Sequence, residues 1–350
     1  MSQTRYQNEK MKRKYFDWAK NALGFSDKSL KVKESAIWKF DEFTKNQDYK
    51  KFNAEVAKSF KKWLDTNKNQ VTGKPLDKIT QYNILRHLKH FFNWLALQSG
   101  YKSKIKPDDV AYLRLSQADT KIATSSKMPK YPSLSYIQKM CSFPIENEID
   151  KRDRALIAFT ALSAMRDLAI ISLPLGCFDI GKLVIEQDPS KGVKTKFSKV
   201  IYTTLFKFDQ QMLDYVLDWY KYLKEEKLFD NTNPLFPATK IELASKTEHS
   251  FVSTGIDKEF WSNAEAMRRI FKARAVQMGL EYYSPHRFRH FAISEANKYA
   301  VGAEQMKAIS QNVGHERLST TFMGYGAMDN YRVSNVISDM NFKKQNDGVK

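Results

Sequence analysis

Apolar residues recur at helical spacing through the first third of the chain. Val56, Phe60, Trp63 and Leu64 fall on one face of a predicted helix that Asn53 is placed to cap. Ile84, Leu88, Phe91 and Leu95 form a second stripe, which leaves Arg86, His87, Lys89, His90 and Asn93 mostly on the other faces of that helix. Between 114 and 132 the periodicity lapses into Ser, Thr and Lys with Pro129 and Pro132, so an interdomain linker is expected there. Helical patterning resumes near Ser133 and again over about 153–165. Leu183-Val184-Ile185 and Val200-Ile201-Tyr202-Thr203-Thr204 are β-branched runs separated by a polar stretch with Pro189 and Gly192, which predicts a hairpin with a long tip. Helices return over about 210–227 and 263–278, and Val333, Ile337 and Met340 recur at helical spacing before a polar tail. The pattern predicts a mainly α fold with a small antiparallel sheet. Its parts are a helical segment 1–113, a linker 114–132, a second domain 133–342 and a tail 343–350. No internal repeat or low-complexity tract interrupts it.

Composition sharpens this picture. A chain of 350 residues, 42% of them hydrophobic, can bury a proper core. Its 58 Lys and Arg against 39 Asp and Glu give a formal net charge of +19, the electrostatic footprint of a nucleic-acid binder. An acidic membrane surface is the competing partner, but no apolar run approaches a spanning helix and no amphipathic anchor stands out, so no membrane association is expected. The charged start lacks an apolar signal core, so a cytoplasmic location is expected. Cys141 and Cys177, without partners at metal-site spacing, read as core residues. The basic face carrying Arg86, Lys89 and His90 is either a solvated face or one laid along DNA. Lys121, Lys127 and Lys130 in the linker are open to the same two readings.

Candidate chemistry lies near the end of the chain. His286-Arg287-Phe288-Arg289-His290 is followed by Val313-Gly314-His315 and then by Tyr325. Each fragment alone is weak, since a histidine beside arginines is more often a surface or capping residue. In this order they suit phosphoryl transfer, where fixed positive charge holds a phosphodiester in its transition state and a tyrosine oxygen attacks phosphorus. No carboxylate or cysteine stands at ligand spacing with the histidines, so no metal or other cofactor is expected.

The second domain resembles the tyrosine recombinases, or phage integrase family. The resemblance rests on Ala164-Met165-Arg166-Asp167-Leu168, on Thr195-Lys196-Phe197-Ser198-Lys199 at the predicted hairpin tip, on His286 to Arg289, and on Val313-Gly314-His315 with Thr320, Thr321 and Tyr325. The N-terminal helices are similar to the family's core-binding (SAM-like) domain. The resemblance implies a catalytic set of Arg166, Lys196, His286, Arg289 and His315, with Tyr325 as nucleophile. The two arginines would bind the non-bridging oxygens and His315 a phosphate oxygen. A hairpin lysine would protonate the leaving 5′ oxygen; Lys196 is preferred, with Lys194 and Lys199 close by and, with Arg287, available to DNA. His290 reads as a packing residue.

Two departures from the family pattern are visible. Tyr325 stands ten residues after His315, where Gly324 occupies the ninth place, so Tyr331 is a second candidate nucleophile. Ala169 stands where the family has Glu, so that contact is either missing or replaced by Asp167. The resemblance further implies a site-specific recombinase or integrase of double-stranded DNA, working through a 3′-phosphotyrosyl intermediate and a Holliday junction. A homotetramer on DNA, accessory DNA-bending proteins, a nucleoid location and a mobile-element role go with it. A type IB topoisomerase-like enzyme and a catalytically inactive recombinase-derived DNA-binding protein are the alternatives.

Overall fold

The computed structural model describes residues 3–68, 73–125, 130–243 and 251–314. Two compact units, Met1–Ser126 and Lys127–Lys350, divide the chain. The first unit contains α1 (Gln3–Asn21), α2 (Asp27–Thr44), α3 (Ala54–Thr66), α4 (Lys78–Leu95), α5 (Pro107–Ala111) and α6 (Gln117–Thr124). Ser26, Asn53, Asp77 and Ser116 each accept a hydrogen bond from the backbone N–H three residues on, satisfying a donor that the first helical turn leaves open. Both predicted stripes face inward: Phe60, Leu64, Ile84, Leu88, Phe91 and Leu95 are buried, with Val56 and Trp63 packed at the edge. The core is aromatic. Phe40 meets Phe60 and Phe92 edge-on at 5.2 Å, and Phe52 stacks on Phe92 at 3.9 Å.

The segment 114–132 departs from the linker reading. Its first part is α6, capped by Ser116, packed on α4 and tied to it where Asp119 lies 3.5 Å from Lys78. Only Ala123 of this helix is buried, and one small residue leaves no apolar stripe in the sequence. The first unit therefore runs past residue 113, and Lys121 sits exposed on a helix rather than on a free linker.

The second unit begins with α7 (Leu134–Cys141), α8 (Glu148–Ser163) and α9 (Asp167–Ile171), followed by β1 (Phe178–Asp179), β2 (Val184–Gln187) and β3 (Ile201–Thr204). After them come α10 (Gln210–Lys221), β4 (Thr239–Leu243), β5 (Phe251–Ile256), α11 (Glu265–Gln277), α12 (Pro285–Tyr299) and α13 (Ala303–Asn312). Helix α8 is central: every residue from 155 to 163 is buried, and α7, α10 and α12 pack against it. Its N-terminal half is held by charge. Arg274 of α11 reaches Asp150 at 2.5 Å and Asp153 at 2.7 Å, while the buried Arg152 pairs with Asp153 at 2.8 Å and donates to Pro237 O.

Strands β2 and β3 form the predicted antiparallel hairpin, with Val184 opposite Thr204 and Gln187 opposite Ile201. Strand β1, which extends this sheet at β2, and the separate β4–β5 hairpin lie outside the sequence expectation, as do helices α12 and α13. Both cysteines are buried and free, and burial pushes the Cys141 thiol up to about 12. Among the described residues no helix is long and apolar enough to cross a membrane. The predicted terminal helix with Val333, Ile337 and Met340, and the tail 343–350, lie outside the described residues.

Candidate active site

Three elements of the second unit converge on one region. Helix α8 ends where buried Ala164 takes a left-handed conformation (φ +52°), which turns the chain so that Arg166 becomes the residue before α9. Helix α12 starts with Pro285, pre-set for the first helical position, and carries His286, Arg287, Arg289 and His290 in its first turns. Helix α13 ends at Asn312 and is followed by Val313 and Gly314.

Arg289 joins them. Its side chain is buried, donating from Nη1 to Ala164 O and from Nη2 to Val313 O at 2.8 Å. One guanidinium thus ties the turn before Arg166 to the turn before His315, and these bonds use two of its five N–H groups.

The hairpin adds the lysines. Thr203 Oγ1 donates to Asn312 O at 2.7 Å and receives Gln187 Nε2 at 2.7 Å. The Asn312 amide completes the join: its Oδ1 accepts from Thr204 N at 2.7 Å and its Nδ2 donates to Thr204 O at 3.0 Å. Asn312 therefore pairs with the free edge of β3 much as another strand would. Glycine is favoured at the close approach, since Gly314 has φ +66° and a Cβ there would stand 2.5 Å from Ile201 Cδ1.

These contacts enclose a cleft of about 570 Å³ lined by Arg166, Lys196, Lys199, Tyr202, Asn312 and Gly314, among others. The tip reaches it through an irregular turn in which Phe197 and Ser198 both have positive φ. Lys194 faces a separate pocket of about 620 Å³, with Cys177 and Lys191, and its N–H is held by Ser172 Oγ at 2.8 Å.

On α12 the rings of His286 and His290 meet edge to face at 4.8 Å. Although the His286 side chain is exposed overall, the protein packed around its ring and then the Arg289 charge lower its pKa; Arg287 and Arg166 add to this and Asp167 opposes it. Both influences favour the neutral form of the ring. Burial, then His286, Arg287 and Arg289, take His290 down to about 4. Asp167 lies 3.6 Å from Arg268, and Ala169 is buried in the core.

The structure thus gathers Arg166, Lys196 and Lys199 around one cleft, with Arg289 and His286 on the helix beside it. His315, Thr320, Thr321, Tyr325, Tyr331 and Lys127 lie outside the described residues. Arg287 is partly exposed on α12 and Lys130 is exposed. In the first unit Arg86 is exposed and Lys89 partly so. His90 is engaged, with Nδ1 2.8 Å from Tyr15 Oη and its ring among Tyr15, Trp18 and Phe25. Sequence reasoning passed over Asn312, Thr203 and Ser172. The one available signal was the position of Asn312 directly before Val313-Gly314-His315. Among the described residues no three His, Cys, Asp or Glu side chains converge to hold a metal ion.

No family model matches the sequence, and no curated protein matches it. Solved structures do. A lambda integrase dimer bound to a COC′ core site is similar with a TM-score of 0.60 and 14% identity, over 92% of this chain and 79% of that one. The Tn1549 transposon integrase in complex with transposon right end DNA gives 0.60 and 13%, over 94% and 97%. The XerH site-specific recombinase in a post-cleavage complex with palindromic difH substrate gives 0.58 and 17%, over 93% and 83%. The fold is that of the tyrosine recombinases and integrases, as the four sequence patches implied, and it extends over nearly the whole chain.

Proposed function

We propose that this protein is a site-specific DNA recombinase or integrase that breaks and rejoins double-stranded DNA through a tyrosine. The observation that carries the reading is the cleft that unites Arg166, Lys196 and Lys199 where the chain runs from Gly314 into His315, with Arg289 fixed beside it.

In this reading Arg166 and Arg289 hold the two non-bridging oxygens of the scissile phosphate and stabilise the charge that grows on them. His315 adds a hydrogen bond to a phosphate oxygen. Tyr325 Oη attacks phosphorus, and its proton passes to His286 or to a phosphate oxygen; an ordinary tyrosine pKa of about 10 makes that acceptor necessary. The P–O5′ bond breaks as Lys196 gives a proton to the leaving oxygen. The lining of the cleft supports Lys196, with Lys199 as the nearby alternative, over Lys194. The products are a 3′-phosphotyrosyl bond and a free 5′ hydroxyl. Attack by the 5′ hydroxyl of a second duplex reverses the chemistry with new connectivity, and two such exchanges pass through a Holliday junction. Four protomers on two duplexes, with accessory DNA-bending proteins at the nucleoid of the cytoplasm, complete the assembly. The first unit serves as the core-binding domain.

The test is to trap protein–DNA adducts from cells expressing the chain, under denaturing conditions, and to sequence the attached DNA. A recurring sequence at the attachment points is expected. Adducts scattered without sequence preference would contradict site-specific recombination.

A further inference from the structure

Ser172 closes α9 and is only 6% exposed. Its hydroxyl is used in both senses: Oγ donates to Leu168 O at 2.7 Å and accepts the Lys194 N–H at 2.8 Å. On one side of this pair, α9 hangs on the Arg166 carbonyl, which accepts from Ala169 N at 2.9 Å and from Ile170 N at 3.1 Å. On the other, Lys194 leads into the turn that presents Lys196, and Thr195 Oγ1 closes that turn by donating to Lys199 O at 2.7 Å. One serine side chain therefore joins the helix that starts after Arg166 to the base of the loop that carries Lys196.

The loop depends on how its base is held. The β2–β3 ladder ends at Gln187 opposite Ile201, and Lys196 to Lys199 are all exposed beyond it. Phe197 and Ser198 adopt positive φ, a conformation that residues with a Cβ keep only where surrounding contacts impose it. Buried Val193 and the Ser172 bond to Lys194 fix the point where the chain enters this turn. A proton donor must stand within hydrogen-bond reach of the atom it serves, and a misplacement of about 1 Å costs on the order of 10²-fold in rate.

We propose that Ser172 is a positioning residue for proton delivery to the leaving 5′ oxygen. By holding Lys194 against α9, it keeps the Lys196 ammonium in register with the phosphate that Arg166 binds. This role rests on the recombinase reading and adds to it a link between two of its charged groups that neither group makes itself. Ser172 touches neither DNA nor the reacting atoms in this scheme; it acts through the lysine loop.

The test uses the full chain and a duplex carrying the attachment sequence recovered from trapped adducts. One form of the duplex is ordinary, and the other has sulfur in place of the bridging 5′ oxygen at the cleaved phosphate. A thiol ionises at about pKa 8.5, far below an alcohol, so when the P–S bond breaks the sulfur leaves as a thiolate and needs no proton donor. Ser172→Ala should slow single-turnover adduct formation on the ordinary duplex by roughly 10–100-fold. On the sulfur duplex it should react at close to the wild-type rate, and its DNA affinity should be unchanged. Lys196→Ala should show the same pattern with a larger loss. Ser172→Thr keeps the hydroxyl, and the pocket of about 620 Å³ that Ser172 lines has room for the added methyl group. It should recover most of the rate, whereas Ser172→Val, matched to it in shape, should not.

Wild-type rates on the ordinary duplex for Ser172→Ala or Ser172→Val would overturn the role and leave the recombinase reading in place. Equal losses on both duplexes would also overturn it, since a hydroxyl that only supports the fold or the phosphate site is not rescued by a better leaving group. Should Ser172→Ala fail to fold, the Thr and Val variants give the same comparison. Absence of adducts from the wild-type chain would overturn the recombinase reading and this role with it.

Discussion

Asn312 places both hydrogen bonds of its side-chain amide on the backbone of a single residue, Thr204, which is 108 positions earlier in the chain. That pairing seats the end of α13 on the edge of the β2–β3 sheet, and with it the residues that lead into His315. The hairpin that carries Lys196 and the segment that carries His315 therefore share one anchor.

Asn312→Leu should separate these two effects of the anchor. Loss of two hydrogen bonds at a partly exposed site costs about 1–2 kcal/mol, read as a lower denaturant midpoint with an unchanged slope. Adduct formation should fall further than stability does, with DNA affinity retained, because the lysine hairpin and the histidine lose their common register. Equal adduct yields in variant and wild type would remove Asn312 from the account.

Gly314→Ala adds a Cβ at φ +66° and within 2.5 Å of Ile201 Cδ1. The left-handed conformation alone costs roughly 1 kcal/mol. Moving the end of the Ile201 side chain adds to it. Combining this change with Ile201→Val removes the Cδ1 atom and should recover part of the lost stability, as a double-mutant cycle would show.

Arg289→Lys keeps the charge and loses the fork that reaches Ala164 O and Val313 O together. Leaving one buried carbonyl unsatisfied costs about 1–3 kcal/mol of stability. Adduct formation should drop by roughly 10²–10³-fold, as for loss of a positioned transition-state donor. DNA affinity should change by far less. Parallel losses in binding and adduct yield would assign Arg289 to binding instead.

His87 and His290 are both held near pKa 4 in the folded protein, below the ordinary value of 6.5. The unfolded chain then binds more protons between pH 6.5 and 4, so stability falls as pH drops through that window and is full above it. Each group contributes on the order of 1–3 kcal/mol, allowing for partial exposure. Thermal unfolding from pH 7.5 to 4 should show the decline, and His290→Gln should reduce it. An unchanged pH profile in that variant would show that His290 titrates normally.

Much of the site was legible because it is written locally. His286 and Arg289 lie three apart at the start of a helix, and Arg166 follows an apolar helix that proved to be the centre of the second unit. The hairpin was legible from its β-branched runs. What escaped was non-local or compositionally plain. Asn312 acts through residues 108 positions away, which no periodicity records. In β4, Thr239-Lys240-Ile241-Glu242-Leu243 has exposed Lys240, Ile241 and Glu242, so little of the strand is committed to a buried face. Helix α6 hides in Ala, Thr, Asp and Lys because it buries only Ala123. The family-like spacing of His315 and Tyr325 rests on sequence, whereas the placement of Arg166, Arg289 and Lys196 rests on three-dimensional contacts.

Covalent chemistry at Tyr325 is read by peptide mass spectrometry on adducts captured from cells after nuclease digestion. A residual nucleotide is expected on the peptide containing Tyr325 and should be absent from a Tyr325→Phe variant. A nucleotide on Tyr331 would contradict the nucleophile assignment. The absence of any adduct on specifically bound DNA would contradict the proposed strand-breaking activity itself.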